Sequence, residues 1–183
     1  QQGRTEAWRE IVHDDSEFDY VEELDLDQIE PLIALPSSPG NVKPVKEVTG
    51  TEIHQAYIGS SANPSFRDLA VAARVVAGHS VPEPVSFDVN PATRQILENL
   101  ASSGDLAHLI RAGARVHQAG CNGCPGMGQA LAPGRNSLRT VPRNFPGRSG
   151  TEDDRVYLCS PETAAVSALA GSITDPRDSD SEP

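Results

Sequence analysis

Cys121 and Cys124 stand close together in a glycine-rich stretch, HQAGCNGCPGMGQALAPGRNSLRTVPRNFPGR, which runs from His117 to Arg148. Two thiolates at this C-x-x-C spacing are a ligand pair for a soft metal or a redox pair. Neighbouring glycines let backbone N–H groups approach whatever the sulfurs hold, including the inorganic sulfide of an iron–sulfur cluster. Four arginines follow with no acid between them: Arg135, Arg139, Arg143 and Arg148. A guanidinium is a planar fork that takes a carboxylate through two parallel hydrogen bonds. Arg143 and Arg148 flank Asn144-Phe145-Pro146-Gly147, a turn sequence where two forks could clamp a polycarboxylate, but on these residues alone surface solvation is the preferred reading. Arg135 and Arg139 read as solvated surface charges.

The pair does not complete a site by itself. A zinc ribbon needs a second C-x-x-C, and the chain has only 3 cysteines. A thioredoxin-like pair opens a helix, whereas Pro125, Gly126 and Gly128 favour an extended loop. An iron–sulfur cluster needs a further ligand. Cys159 lies in VYLCS, where it reads as a small buried hydrophobe of a strand. His117 sits beside the Cys loop, where ordinary packing is the preferred reading and support of the loop the alternative. His54, His79 and His108 carry no motif.

The bulk of the chain narrows the classes. Its 183 residues suffice for one core with loose ends. Hydrophobic content is 37% and aromatic content 4%, so Ala, Val, Leu and Ile must do most of the packing. A net charge of -11 excludes general nucleic-acid or anionic-membrane binding. No apolar run is long enough to span a bilayer. The opening QQGRTEAWRE is polar and lacks an initiator Met, which reads as a piece of a longer protein without a secretory signal. Cysteine usage fits a reducing compartment, cytoplasm or mitochondrial matrix. Residues 1–18 read as an acidic segment, 19–174 as the domain, and 175–183 (DPRDSDSEP) as a polar, disordered tail or linker.

The elements that must position the site alternate. Tyr20–Leu26 is a weak strand candidate, and Pro36–Val45 a turn-rich crossing loop. Ile53–Ile58 predicts a buried strand ending in Gly59–Asn63. A helix follows, with Pro64 in its first turn and Phe66, Leu69, Ala70, Ala73, Val76 and Ala77 on one face. Val85–Val89 predicts a second strand, Ile96, Leu97 and Leu100 a second helix, and Leu106, Leu109 and Ile110 a short third. Arg115–Gln118, Leu138–Val141 and Val156–Cys159 are further strands, and Ser160-Pro161-Glu162 caps a last helix. This order predicts an α/β fold, a three-layer α/β/α domain with a mostly parallel sheet. Ligands of such sheets gather at the carboxyl ends of the strands. Gly59–Asn63 and Gly120–Gly128 both fall there, so two distant loops can face one site.

Three ordered motifs resemble one family. IGSSANPSFRDL is similar to the SCTN-type loop of the aconitase and isopropylmalate dehydratase superfamily, GCNGCPGMGQ to its cluster-binding loop, and RNFPGR to its substrate-binding motif. DSEFDYVEELDL, SPGNVKPV and the SPET–ALAG segment follow the same order, so the resemblance covers about Asp15 to Arg177. It implies the third, cluster-bearing α/β domain of an aconitase-like hydro-lyase, working with the remaining domains of that protein on a small polycarboxylate. It implies a [4Fe-4S] cluster acting as Lewis acid, with Cys121 and Cys124 as ligands and Arg143 and Arg148 on substrate carboxylates. The family's remaining cysteine corresponds to Ser61, a hard, high-pKa hydroxyl in place of a thiolate. Pro125 and Pro142 also depart from the family's common Ile and Asn. No catalytic base is assigned, and the isolated chain is expected to be inactive. The DSEFD and SPET–ALAG segments look nearest to aconitase, so citrate and isocitrate through cis-aconitate are the expected substrates. The alternatives are an isopropylmalate or homoaconitate dehydratase and a cluster-free, non-catalytic relative.

Overall fold

The computed structural model describes residues 17–178. The acidic segment expected over 1–18 therefore lies almost wholly outside the described residues, as does 179–183 of the tail. Residues 175–178 are not a loose tail. Asp175 accepts from the backbone N–H and the guanidinium of Arg177 at the start of a short 3-10 turn, Pro176–Asp178.

The sheet has seven strands: β1 (Leu32–Ala34), β2 (Val42–Pro44), β3 (Gln55–Gly59), β4 (Ser86–Asn90), β5 (Arg115–Val116), β6 (Asn136–Arg139) and β7 (Arg155–Leu158). Their spatial order is β2-β1-β7-β6-β3-β4-β5. The five strands from β7 to β5 are parallel neighbours, and β1 with β2 adds an antiparallel edge. This is the predicted α/β fold with a mostly parallel sheet. Two local expectations differ. Tyr20–Leu26 forms no strand, and its large apolar side chains are exposed. The crossing loop over Pro36–Val45 contains β2, which returns as a hairpin onto β1.

Four helices join these strands: α1 (Phe66–Val75), α2 (Arg94–Ser103), α3 (Asp105–Arg111) and α4 (Pro161–Ala170). α1 starts two residues beyond Pro64 because Ser65 makes a capping box with Asp68, a device that contributes about 1 kcal/mol. Thr93 caps α2 through its side chain, which accepts from the Ile96 N–H. Gly104 ends α2 with φ near 88°, a conformation that suits glycine. Ser160 caps α4 with Pro161 in the first turn, as the sequence predicts.

The two faces of the sheet are chemically different because side chains alternate along a strand. Ala56, Ile58, Phe87, Val89 and Leu138 join one buried cluster with Leu69 and Ala73 of α1, Leu100 of α2, Leu109 of α3 and Ala165 of α4. The residues between them are Gln55, Tyr57, Asp88, Asn90, Ser137 and Arg139, all buried and all carrying polar groups. Chain direction explains the difference. β3, β4 and β5 advance in one direction, and the chain then turns back past β3 to β6 and β7. Crossovers between parallel strands are almost always right-handed, so connections travelling opposite ways lie on opposite faces. The helices cover the apolar face. The Cys loop, connecting β5 to β6, covers the polar one.

The reversal occurs between β3 and β6, and the strand ends there are packed tightly. The Gly59 N–H donates to Thr140 Oγ1 at 2.9 Å. A Cβ on Gly59 would lie 2.1 Å from the Asn90 carbonyl oxygen, and its φ is near 126°. Gly59→Ala must therefore part β3 from β4 and adopt a strained backbone. We expect a loss of about 3 kcal/mol or more, read by urea unfolding. A midpoint equal to that of the parent would contradict this packing.

Candidate functional site

The Cys loop is held from below by the polar face of the sheet. Asn90, at the end of β4, donates through Nδ2 to the Gln118 carbonyl at 2.9 Å, where the loop begins. Its Oδ1 accepts from the Tyr57 hydroxyl and from the Asn122 N–H. Tyr57 is wholly buried, and burial pushes its phenol well above the usual range, so it acts as a neutral donor. Gly123 rests on this ring: a Cβ there would lie 2.4 Å from Tyr57 Cε2. A Cβ on Gly126 would meet the Ser149 carbonyl oxygen at 2.4 Å. The glycines thus set how deeply the loop seats, in addition to letting backbone approach a ligand.

The two thiols occupy different surroundings. Cys124 is buried at 1% exposure, against Tyr57 and Val141. Cys121 is exposed. Its Sγ lies 3.1 Å from the hydroxyl oxygen of Ser60, so the loop after β3 meets the Cys loop as expected. The serine that makes this contact is Ser60, buried and with φ near 71°, an uncommon backbone for a residue with a side chain. Ser61 is exposed and makes no hydrogen bond with a described residue.

The arginines separate into three environments. Arg148 Nη2 donates to Cys124 Sγ at 3.3 Å, which joins the RNFPGR turn to the Cys loop. Arg143 is exposed and makes no ion pair or hydrogen bond with a described residue. Between them, Asn144 is buried at 1% and donates through Nδ2 to the carbonyls of Leu35 and Val156. It fixes the turn to β1 and β7, a role that no signal short of a side-chain contact reveals. Arg135 lies at the opposite, amino end of the strands. There Nη1 contacts His54 Nε2 at 2.7 Å beside an open hollow of about 440 Å³.

Arg139 corrects the sequence reading. It is not a solvated surface charge but is fully buried at 0% exposure under the Cys loop. Strand alternation was the available signal: Ser137 and Arg139 share a parity in β6, with the apolar Leu138 on the other face. His117 does support the loop entrance, with Nε2 2.9 Å from Asp88 Oδ1 and its ring against Tyr57. Cys159 is partly buried against the core, and burial raises its thiol pKa, consistent with a small hydrophobe and not a ligand.

The donor chemistry is therefore specific but incomplete. Cys121 and Cys124 carry the donor type of a soft metal centre. Among the described residues, no group of three His, Cys, Asp or Glu side chains converges on one point. The third position of the expected cluster carries a hydroxyl, so the chain supplies two of the three thiolates that the resemblance implies. No helix among the described residues is long and apolar enough to cross a membrane.

Comparison with known proteins agrees with the geometry. The sequence pattern of the aconitase family (aconitate hydratase) matches residues 42–171. The chain is 45% identical over 170 residues to the 3-isopropylmalate dehydratase large subunit 1 of Methanopyrus kandleri, covering 91% of this chain and 40% of that protein. It is 40% identical over 171 residues to a probable methanogen homoaconitase large subunit of Methanothermobacter thermautotrophicus, covering 91% of this chain and 40% of the relative. It is 38% identical to the 3-isopropylmalate dehydratase large subunit 2 of Archaeoglobus fulgidus, with 96% and 43% covered. The chain thus spans about two fifths of the length of these relatives. The matched pattern takes in the loop after β3, the Cys loop and the RNFPGR turn together, and on that ground the chain belongs to the aconitase family.

Proposed function

We propose that this chain is the cluster-loop portion of a hydro-lyase of the isopropylmalate dehydratase or homoaconitase kind. It would remove water from a hydroxy-polycarboxylate and add it back. The observation that carries this reading is the contact between Arg148 and Cys124, which brings a carboxylate fork and a soft-metal loop to one place at the carboxyl ends of the strands. Relatives named isopropylmalate dehydratase and homoaconitase favour these substrates over the citrate and isocitrate expected from the sequence.

The chain's own residues would bind and orient. Removing a proton next to a carboxylate builds negative charge on that carboxylate, and a guanidinium already in place offsets it. The contact of Arg148 with Cys124 and the anchoring of the turn by Asn144 support this role for Arg148. Arg143, unpaired toward the described residues, is the second fork. Cys121 and Cys124 would hold the metal centre, with Ser61 at the third position. No catalytic base is assigned among these residues. Partner domains or a small subunit would complete the site.

The test is an assay of the assembled protein on isopropylmalate, homoaconitate and cis-aconitate, followed by absorbance of the unsaturated acid. Turnover of one of the first two well above cis-aconitate is expected, and this chain alone should turn over none. Preference for cis-aconitate would reject the proposed substrate class. Absence of turnover on all three by a metal-loaded assembly would reject the hydro-lyase reading.

A further inference from the structure

Arg139 is an unusual buried charge. Its Nη1 donates to the Gly123 carbonyl at 2.8 Å, between the two cysteines. Its Nη2 donates to the Gln129 carbonyl at 2.6 Å, at the far end of the loop, and to Gln55 Oε1 at 2.7 Å. Its Nε donates to Ser137 Oγ at 3.0 Å and to Gln55 Oε1 at 3.2 Å. The guanidinium carbon lies 5.4 Å from the centre of the Tyr57 ring.

Every one of these acceptors is neutral. A buried charge is normally retained because it is paired or because its hydrogen bonds define a conformation. The nearby carboxylates are otherwise engaged: Asp88 with His117 and Ser86, and Asp154 with the Ser149 N–H. Gln55, held by Ser137 and Gln129, braces the fork from the strand side. The rigid fork thus holds two carbonyls of one loop, six residues apart in sequence, over the polar face of the sheet.

We propose that Arg139 is the positioning residue of the Cys loop. It fixes the loop from below, so that Cys121 and Cys124 present their sulfurs as a preformed pair, and its charge favours an anionic, thiolate-bound occupant. Arg139 touches neither substrate nor sulfur in this role and acts through the carbonyls of Gly123 and Gln129. The inference rests on the reading of Cys121 and Cys124 as soft-metal ligands. It does not require the hydro-lyase assignment.

Cadmium is a suitable probe, because thiolate-to-cadmium charge transfer reports the loop without cluster assembly or turnover. The measurements are cadmium affinity, amide hydrogen exchange across residues 119–131, and far-ultraviolet circular dichroism for the parent, Arg139→Gln and Arg139→Lys. Arg139→Gln is expected to weaken cadmium binding about 10- to 100-fold, the usual loss when a supporting partner is removed, and to speed exchange in the loop but not in α1 or α4. Arg139→Lys keeps the charge and loses the double clamp, so it should recover part of the affinity while loop exchange stays fast. A folded Arg139→Gln protein with parental cadmium affinity would overturn the proposal. If Arg139→Gln does not fold, Arg139→Lys decides: parental affinity together with parental loop exchange would overturn it. Normal cadmium binding in a protein that turns over no hydroxy-acid would count against the proposed function and leave this inference standing.

Discussion

Replacing Arg148 by alanine is expected to lower kcat/KM of the assembled enzyme about 100- to 1,000-fold, with its metal content unchanged. Truncating one member of a desolvated charge pair costs about 2–5 kcal/mol, and here the pair would be the guanidinium and a substrate carboxylate. The loss should appear in kcat as well as KM, because the fork opposes charge that grows as the proton leaves. Arg148→Lys keeps a point charge without the planar fork and should retain about a tenth of the activity. The metal measurement matters because Arg148 also donates to Cys124 Sγ. A variant that loses activity and metal together would assign Arg148 to the loop and not to substrate. Activity within about threefold of the parent would remove it from the site.

The second large effect concerns the proposed third ligand position. Cys124→Ser is expected to abolish soft-metal binding, exceeding the roughly 10- to 100-fold loss that follows removal of a mere supporting partner. Ser61→Cys should act in the opposite sense. It restores a soft donor at the third position, so anaerobically purified Ser61→Cys protein should carry more iron and sulfide per chain than the parent and release them more slowly in air. The physical reason is ligand hardness: an un-ionised hydroxyl competes poorly with thiolate for iron. Equal iron and sulfide in the two proteins would place the third ligand elsewhere. Ser60 sharpens this test. Its hydroxyl, and not that of Ser61, lies against Cys121, so Ser60→Ala should perturb the loop without removing a ligand.

Much of this arrangement is legible along the chain, because it depends on local rules. Alternation in β3 and β4, the Ser160 cap before Pro161, and Gly104 after α2 are all short-range signals. They suffice for an α/β fold and for placing two loops at the carboxyl ends of parallel strands. The C-x-x-C spacing and the paired arginines point to a soft-metal loop beside an anion site only together with the other ordered motifs of the family. The start of α1 moves past Pro64 because the Ser65 hydroxyl, which reaches the N3 backbone, outcompetes the proline as the boundary.

What the linear pattern left open is which side chains meet. Arg135, Arg139, Arg143 and Arg148 form one run of cations without acids, from which the family resemblance singles out Arg143 and Arg148 and leaves the other two as surface charges. Tertiary structure sends Arg135 to the amino ends of the strands, buries Arg139 under the loop, exposes Arg143, and sets Arg148 on Cys124. The deciding fact is the reversal between β3 and β6, which places the Cys loop over the polar face of the sheet. Likewise, Ser60 and not Ser61 meets Cys121, and Ser60 carries a positive φ at the end of a strand. The amino-acid sequence therefore determined the elements, the family and the types of chemical group. The fold decided which arginine lies buried under the loop and which meets its sulfur, because that depends on face and register across the sheet, and neighbours in sequence do not share either.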